Sequence, residues 1–209
     1  LGDVYKRQMK NLNWMPHIGM NFNLYVDGLG LLFSLLITGI GSLVVLYSIG
    51  YLSKSEQLGN FYCYLLLFMG AMLGVVLSDN FIILYLFWEL TSFSSFLLIS
   101  FWREKKASIY GAQKSLIITV LGGLSMLGGI ILLSLATDTF SIQAMISKAS
   151  DIQNSPFFIL AMILFMIGAF TKSAQVPFYI WLPDAMEAPT PVLSLIHISE
   201  PTRRTPLSY

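Results

Sequence analysis

Charge is scarce in this 209-residue chain: only 11% of residues are Asp, Glu, Lys or Arg, and the net charge is +1. That excludes the strongly basic surfaces that bind nucleic acid. There is a single cysteine, Cys63, so no internal disulfide can form, and the sequence reads it as a small packed hydrophobe. With two histidines, no CxxC pair and no glycine-rich nucleotide loop, no cofactor or metal is expected. What replaces these features is apolar: 56% hydrophobic residues and a mean hydropathy of +0.71, the composition of a polytopic membrane protein.

The two ends are related through the genetic code. Residues 1–8 read LGDVYKRQ and residues 193–200 read LSLIHISE. Written as CTC GGA GAT GTG TAT AAG AGA CAG, the first has a reverse complement that translates, codon for codon, as the second. One DNA element in opposite orientations resembles the adapter left by transposase-based library preparation. Residues 1–8 and 193–209 are therefore read as adapter-like read-through and set aside from the fold. Removing Lys6, Arg7, Arg203 and Arg204 from twelve basic residues leaves eight, and removing Asp3 and Glu200 from eleven acidic ones leaves nine, a net charge of −1.

Four apolar runs each reach the roughly twenty helical residues that a bilayer core needs: Leu29 to Leu52, Asn60 to Ser78, Phe81 to Trp102 and Tyr110 to Ala136. A fifth, Pro156 to Lys172, is shorter. The fold expected is all-α, a transmembrane bundle of about five spanning helices plus a Pro-broken one. Residues 9–28, with alternating aromatic and polar residues, read as an extracytoplasmic loop at headgroup level. Thr139 to Gln153 reads as a helix on the membrane surface. Gly30, Ser34, Thr38 and Ser42, and likewise Gly70, Gly74 and Ser78, put small residues on one face of the first two helices, where backbones can approach. Arg103, Lys105 and Lys106 place their loop in the cytoplasm by the positive-inside rule. An outside start without a signal peptide implies missing upstream helices, so a fragment is expected.

Three ionisable residues in or beside these runs could carry chemistry. Glu89 sits deep in FIILYLFWELTSFSSFLLISF, with Tyr85 and Ser92 on its face. It is either a locally satisfied structural acid or a marker of an ion path. Lys172 ends the fifth run, and GAFTKSAQVPFYIWLPDAMEAPTPV then continues apolar around Pro177 and Pro183. A lysine at a helix end can snorkel to the interface. A broken helix at membrane depth, however, is tolerated only where protein or a wet cavity meets its backbone. If the helix continued, Gly168, Gln175 and Tyr179 would share the lysine's face. Lys114 is either a cytoplasmic snorkel or a relay member. Asp184 and Glu187 line the mouth of the break or are loop charges, and His17 is a loop residue. Glu89 and Lys172 also make sense together: at about 4 Å and an effective dielectric near 20 their attraction is about 4 kcal/mol. Changing their separation changes whether a proton is held.

FWELTSFSSFLLISFW and the stretch from Gly168 to Val192 resemble the antiporter-like membrane subunits. That family is shared by Mrp/Mnh-type multisubunit Na⁺/H⁺ antiporters and the proton-pumping arm of NADH-quinone oxidoreductase (complex I). SIGYLSKSEQLGNFYCYLLLFMGAMLGVVLSDN is closest to the A-type subunits of the antiporters, and the likeness covers residues 9–192. The resemblance implies that residues 29–192 are part of an inverted-repeat transporter, with Glu89 matching the family's fifth-helix glutamate and Lys172 the lysine of its broken seventh helix. It implies a proton-translocating subunit in a bacterial plasma membrane, exchanging Na⁺ for H⁺ beside other antiporter subunits, and not an enzyme. The alternative it leaves is a proton-pumping subunit of complex I. His197 falls where the family has a histidine, but inside LSLIHISE, so its role is not carried over. The nucleotide sequence across both junctions checks the reading of the ends: the inverted element is expected at each, and an uninterrupted family sequence beyond Val192 would refute it.

Overall fold

The computed structural model describes residues 7–8, 12–15, 20–52, 57–153, 155–186 and 189, with side chains described from Asn23 onward except that of Asp151. Four short strands come first: β1 (Arg7–Gln8), β2 (Leu12–Met15), β3 (Met20–Phe22) and β4 (Tyr25–Val26). β1 pairs antiparallel with β4, and β2 with β3 across an irregularity between Asn13 and Met15. The stretch read as an extracytoplasmic loop is thus strand-paired, and its pairing takes in Arg7 and Gln8.

Helices follow: α1 (Gly28–Tyr51), α2 (Leu58–Leu77), α3 (Phe81–Ile99), α4 (Lys106–Thr137), α5 (Ile142–Ser147), α6 (Ala149–Gln153) and α7 (Phe158–Lys172). A 3-10 turn (Phe178–Trp181) and α8 (Leu182–Ala185) complete the described part. α1 to α4 are long and apolar enough to cross a membrane, and α7 is a shorter apolar helix. Side-chain caps open two of them, α1 and α3. Asp27 Oδ1 accepts from Gly30 N at 2.6 Å to open α1. Asn80 Oδ1 accepts from Ile82 N and Ile83 N at 3.0 and 3.3 Å to open α3. Each satisfies N–H groups that a helix start leaves orphaned.

α4 starts at Lys106, one turn earlier than its apolar run, and its 32 residues span about 48 Å against a hydrocarbon core of about 30 Å. It is longer than a perpendicular span needs, and Lys114 lies two turns inside the helix. The expected surface helix is two short ones, α5 and α6. They are tied to the α2–α3 link, where Asp79 Oδ2 accepts from the Ser141 hydroxyl at 2.9 Å and Asp79 Oδ1 from Gln143 N at 3.2 Å.

The expected small-residue faces pack only in part: Gly30 is buried beside Val76 and Leu77 of α2, but the rest of the α1 face is not the contact. α1 packs on α2 through Gly41, Val44 and Ser48, while Thr38 and Ser42 are exposed and donate to their own helix's carbonyls. Gly70 faces open space, whereas Gly74 meets Phe87 of α3. Cys63 is exposed, not packed, because α2 buries the opposite face through Phe61, Leu65 and Phe68. The most extensive helix contact is α4 against α7. A Cβ at Gly129 would sit 2.7 Å from Ala161 O and 3.1 Å from Phe165 N, so only glycine lets these backbones meet. The Ser125 hydroxyl donates to Leu164 O at 3.1 Å across the same contact. Large apolar side chains on the outer faces, Leu35, Leu46, Leu121, Leu135 and Ile159 among them, stay exposed, as lipid-facing helices require.

In the full-length protein carrying this segment, Gly129→Ala should lower the thermal midpoint in detergent, at a cost of about 1–3 kcal/mol for overpacking against backbone. Gly128→Ala, whose Cβ meets only Leu164 Cδ1 at 3.6 Å, should not. Equal midpoints for the two would refute the tight α4–α7 contact.

Candidate functional site

α7 stops at Lys172, and the stop is built from its last carbonyls. Ser173 N donates to Ala169 O at 3.0 Å and Gln175 N to Phe170 O at 2.9 Å. Ala174 takes the left-handed conformation, φ 49°, at the position where a helix terminus turns. The bond from Gln175 back to Phe170 is the six-to-one closure of a Schellman terminus. Thr171 O accepts from the buried indole Nε1 of Trp181 at 3.0 Å, so part of the cap comes from beyond the break. Gln175 and Tyr179 therefore do not share a helical face with Lys172: the helix ends first.

The Lys172 side chain, half-buried, turns into the bundle toward α3. Its Nζ donates to Thr91 Oγ1 at 2.8 Å and to Ser92 Oγ at 2.7 Å, and lies 5.6 Å from the centre of the Trp88 ring. Glu89 is on the same helix, half-buried, with its carboxylate against Gly123 of α4, where any Cβ would overlap Oε1. Glu89 Oε1 is buried and has no hydrogen-bond partner among the described residues, so Tyr85 and Ser92 do not satisfy it. The two head groups are neighbours without pairing: among the described residues the ion pair within 4.0 Å is Lys114–Asp184. Lys172 instead takes two neutral hydroxyls. Thr91 and Ser92 are the site residues that sequence reasoning missed in this role. The signal was the Thr91–Ser92 pair directly after Glu89, with Ser92 read only as company for the glutamate.

Lys114 and Asp184 meet at 2.6 Å, with side chains 29% and 37% exposed, and Lys114 Nζ also lies 5.9 Å from the Tyr110 ring. Asp184 is thus neither a free loop charge nor a lone lining of the break. It opens α8 and joins it to α4, where Gly111 leaves room for the Asp184 backbone. A partly exposed pair of this kind contributes at most about 1 kcal/mol to stability. Its weight is positional. Glu187, His17 and His197 lie outside the described residues. Among the described residues no group of His, Cys, Asp and Glu could hold a metal. A cavity of about 350 Å³ lies between α1, α2 and α5, lined by Tyr25, Asp27 and Asp79, and includes neither Glu89 nor Lys172.

Helices long and apolar enough to span, a helix that stops and resumes as short turns, and a lysine turned inward beside a helix that carries an acid define a polytopic membrane protein with a discontinuous helix. The chain belongs to the NADH:quinone oxidoreductase/Mrp antiporter transmembrane family, whose model matches residues 78–199, a span that runs past Val192. Residues 14–62 match a second model, described as the N-terminus of NADH-ubiquinone oxidoreductase (complex I) chain 5. Over 189 residues the chain is 97% identical to the Na(+)/H(+) antiporter subunit A1 of Staphylococcus epidermidis (strain RP62A) and 86% identical to that of Staphylococcus aureus (strain Newman). These alignments cover 90% of this chain and 24% of each relative, so the chain spans about a quarter of their length. Among solved structures it is similar to the Mrp complex from Dietzia sp. DQ12-45-1b, with a TM-score of 0.85 and 35% identity over 92% of this chain and 21% of that one.

The cap makes Trp181 a structural partner of Lys172. Trp181→Phe keeps a ring in the core but removes the donor to Thr171 O, and should cost about 1–3 kcal/mol for an orphaned carbonyl. A thermal midpoint of the full-length protein equal to wild type would refute this.

Proposed function

We propose that the full-length subunit carrying this segment translocates protons within a multisubunit monovalent cation/proton antiporter, with inward H⁺ movement driving Na⁺ extrusion. Glu89 and Lys172 would be its proton-carrying pair. The observation that carries the reading is the direction of Lys172: a snorkelling lysine would extend toward water, whereas this ammonium turns onto α3 beside Glu89. Support comes also from the relatives named as Na(+)/H(+) antiporter subunits. The partners would be the other antiporter subunits, and the setting a bacterial plasma membrane. The function would reside in residues 9–192, and none in 1–8 or 193–209. A transporter subunit is favoured over an enzyme because the complex I likeness stands only at the level of the shared family. Lys114, paired with Asp184, is read as an anchor for α8 in preference to a relay member.

The chemistry needs no redox centre. A carboxylate and an ammonium in a low-dielectric bundle each favour the other's charged form when close, and each loses that support when apart. A movement of either side chain thereby becomes uptake or release of a proton. A membrane potential of 100 mV supplies about 2.3 kcal/mol per charge crossing it, comparable to the attraction between two such groups, so coupling of this size is physically adequate.

In the full-length subunit within its complex, Lys172→Ala should abolish Na⁺-dependent ΔpH in everted vesicles. Lys172→Arg should do the same, since a guanidinium keeps its charge but does not release its proton. Glu89→Gln should reduce transport at least tenfold. Wild-type transport in the Lys172→Ala variant would dismiss the proton role.

A further inference from the structure

Two kinds of partner for one ammonium lie on α3, and the structure seats Lys172 on only one of them. The Thr91 hydroxyl donates to Trp88 O at 2.7 Å, and the Ser92 hydroxyl points to the same carbonyl at 3.4 Å. With their protons directed there, both oxygens turn lone pairs toward Nζ, 2.8 and 2.7 Å away. The Trp88 ring adds its electron-rich face on a third side, 5.6 Å from Nζ. This seat is made of acceptors and carries no charge. Glu89 precedes Thr91 and Ser92 by two and three residues, about 3 to 4.5 Å along the helix axis. Its buried Oε1 has no hydrogen-bond partner among the described residues. A lysine on a flexible four-carbon stem can cross such a distance by rotamer change, with both helices still.

We infer that Thr91 and Ser92 are positioning residues, a neutral second seat that competes with Glu89 for the Lys172 ammonium. The inference rests on reading Glu89 and Lys172 as a proton pair, and it answers a need of that reading. An ammonium that left the carboxylate for an apolar surrounding would lose its solvation outright. The pair would then be permanent and would move nothing. Two hydroxyl acceptors and a π face make the separated arrangement accessible while leaving the carboxylate close enough to recapture the charge. The seat stays neutral, so it does not lock the lysine in turn. A serine and a threonine suit this task better than an acid, which would hold the charge, or an alkyl group, which would expel it.

The test compares three variants of the full-length subunit in its complete complex, read as Na⁺-dependent ΔpH in everted vesicles. Thr91→Val with Ser92→Ala removes both acceptors at nearly constant volume. Thr91→Ser with Ser92→Thr keeps both. Lys172→Ala reports on the underlying pair. The first should lower the maximal rate about tenfold or more, as expected when hydrogen bonds to a charge are lost, with the half-saturating Na⁺ concentration unchanged. The second should stay within about twofold of wild type. A wild-type rate in the acceptor-less variant beside an inactive Lys172→Ala overturns the seat and leaves the proton pair standing. Activity in Lys172→Ala overturns the pair itself. Equal losses in the acceptor-less and hydroxyl-keeping variants mean a packing role and also overturn the seat. Should the double variant not assemble, Ser92→Ala alone decides: a severalfold fall in rate supports the seat, and an unchanged rate refutes it.

Discussion

A helix that stops among lipid-facing neighbours must find its own hydrogen-bond donors, because hydrocarbon offers none. α7 meets this constraint with one donor for each of three final carbonyls: Ser173 N for Ala169, Gln175 N for Phe170 and Trp181 Nε1 for Thr171. The first is the last bond of the helix itself and the second closes the turn at Ala174. The third comes from the far side of the break, so the cap exists only if the chain beyond Pro177 folds back onto α7. That return is held by α8, which the Lys114–Asp184 pair ties to α4. Lys172, the residue next to Thr171, therefore has its backbone set by side chains on α4 and α8 as much as by its own helix.

The same frame explains why the lysine can point inward. α4 and α7 touch at backbone distance through Gly129, and the Ser125 bond to Leu164 O fixes their register. α3 lies against α4 closely enough for Glu89 to rest on Gly123. α4 is thus the common wall of the site: the acid of α3 rests on Gly123, and Thr171 of α7, next to the lysine, meets Gly122. The hydroxyl groups of this region do not compete for that wall. Thr91, Ser94, Ser95 and Thr171 each donate to a carbonyl three or four residues back on their own helix. Their cost of burial is met locally, and the oxygens remain free to accept.

Much of this was legible in the sequence, for reasons that also mark where legibility ended. Hydropathy found all four long helices, because length and apolarity are local properties. The prolines at 177 and 183 located the break, and the rarity of ionisable residues at depth picked out Glu89 and Lys172. Choices between partners were not legible. Small residues at a spacing of four on α1 suggested a helix contact, yet the close contact is on α4, whose GG pairs carry no label saying which neighbour they face. Asp184 reads equally as a lining of the break or a loop charge because its partner Lys114 is seventy residues earlier. Ser92 reads as company for Glu89 and Thr91 does not stand out, because their part as acceptors depends on where a lysine eighty residues later comes to rest. Cys63 was misplaced for a related reason: an apolar run says that a residue avoids water, not whether protein or lipid is what it meets.

The division between rigid and movable parts follows from these contacts. Backbone-to-backbone packing cannot yield by small amounts, since interiors at this density are repacked or left alone. That makes the α3–α4–α7 frame a poor place for graded motion and leaves the side chains at its centre as the mobile elements. Of these, the lysine has the longest stem and the fewest packing duties, while Glu89 is confined by Gly123 and the helix that bears it. On the proposed reading, motion of charge in this part of the molecule would fall to the ammonium, moving along α3 by about 3 to 4.5 Å. A displacement of that size requires no helix to shift, and it is large enough to change the electrostatic interaction between unit charges by more than thermal energy at an effective dielectric near 20.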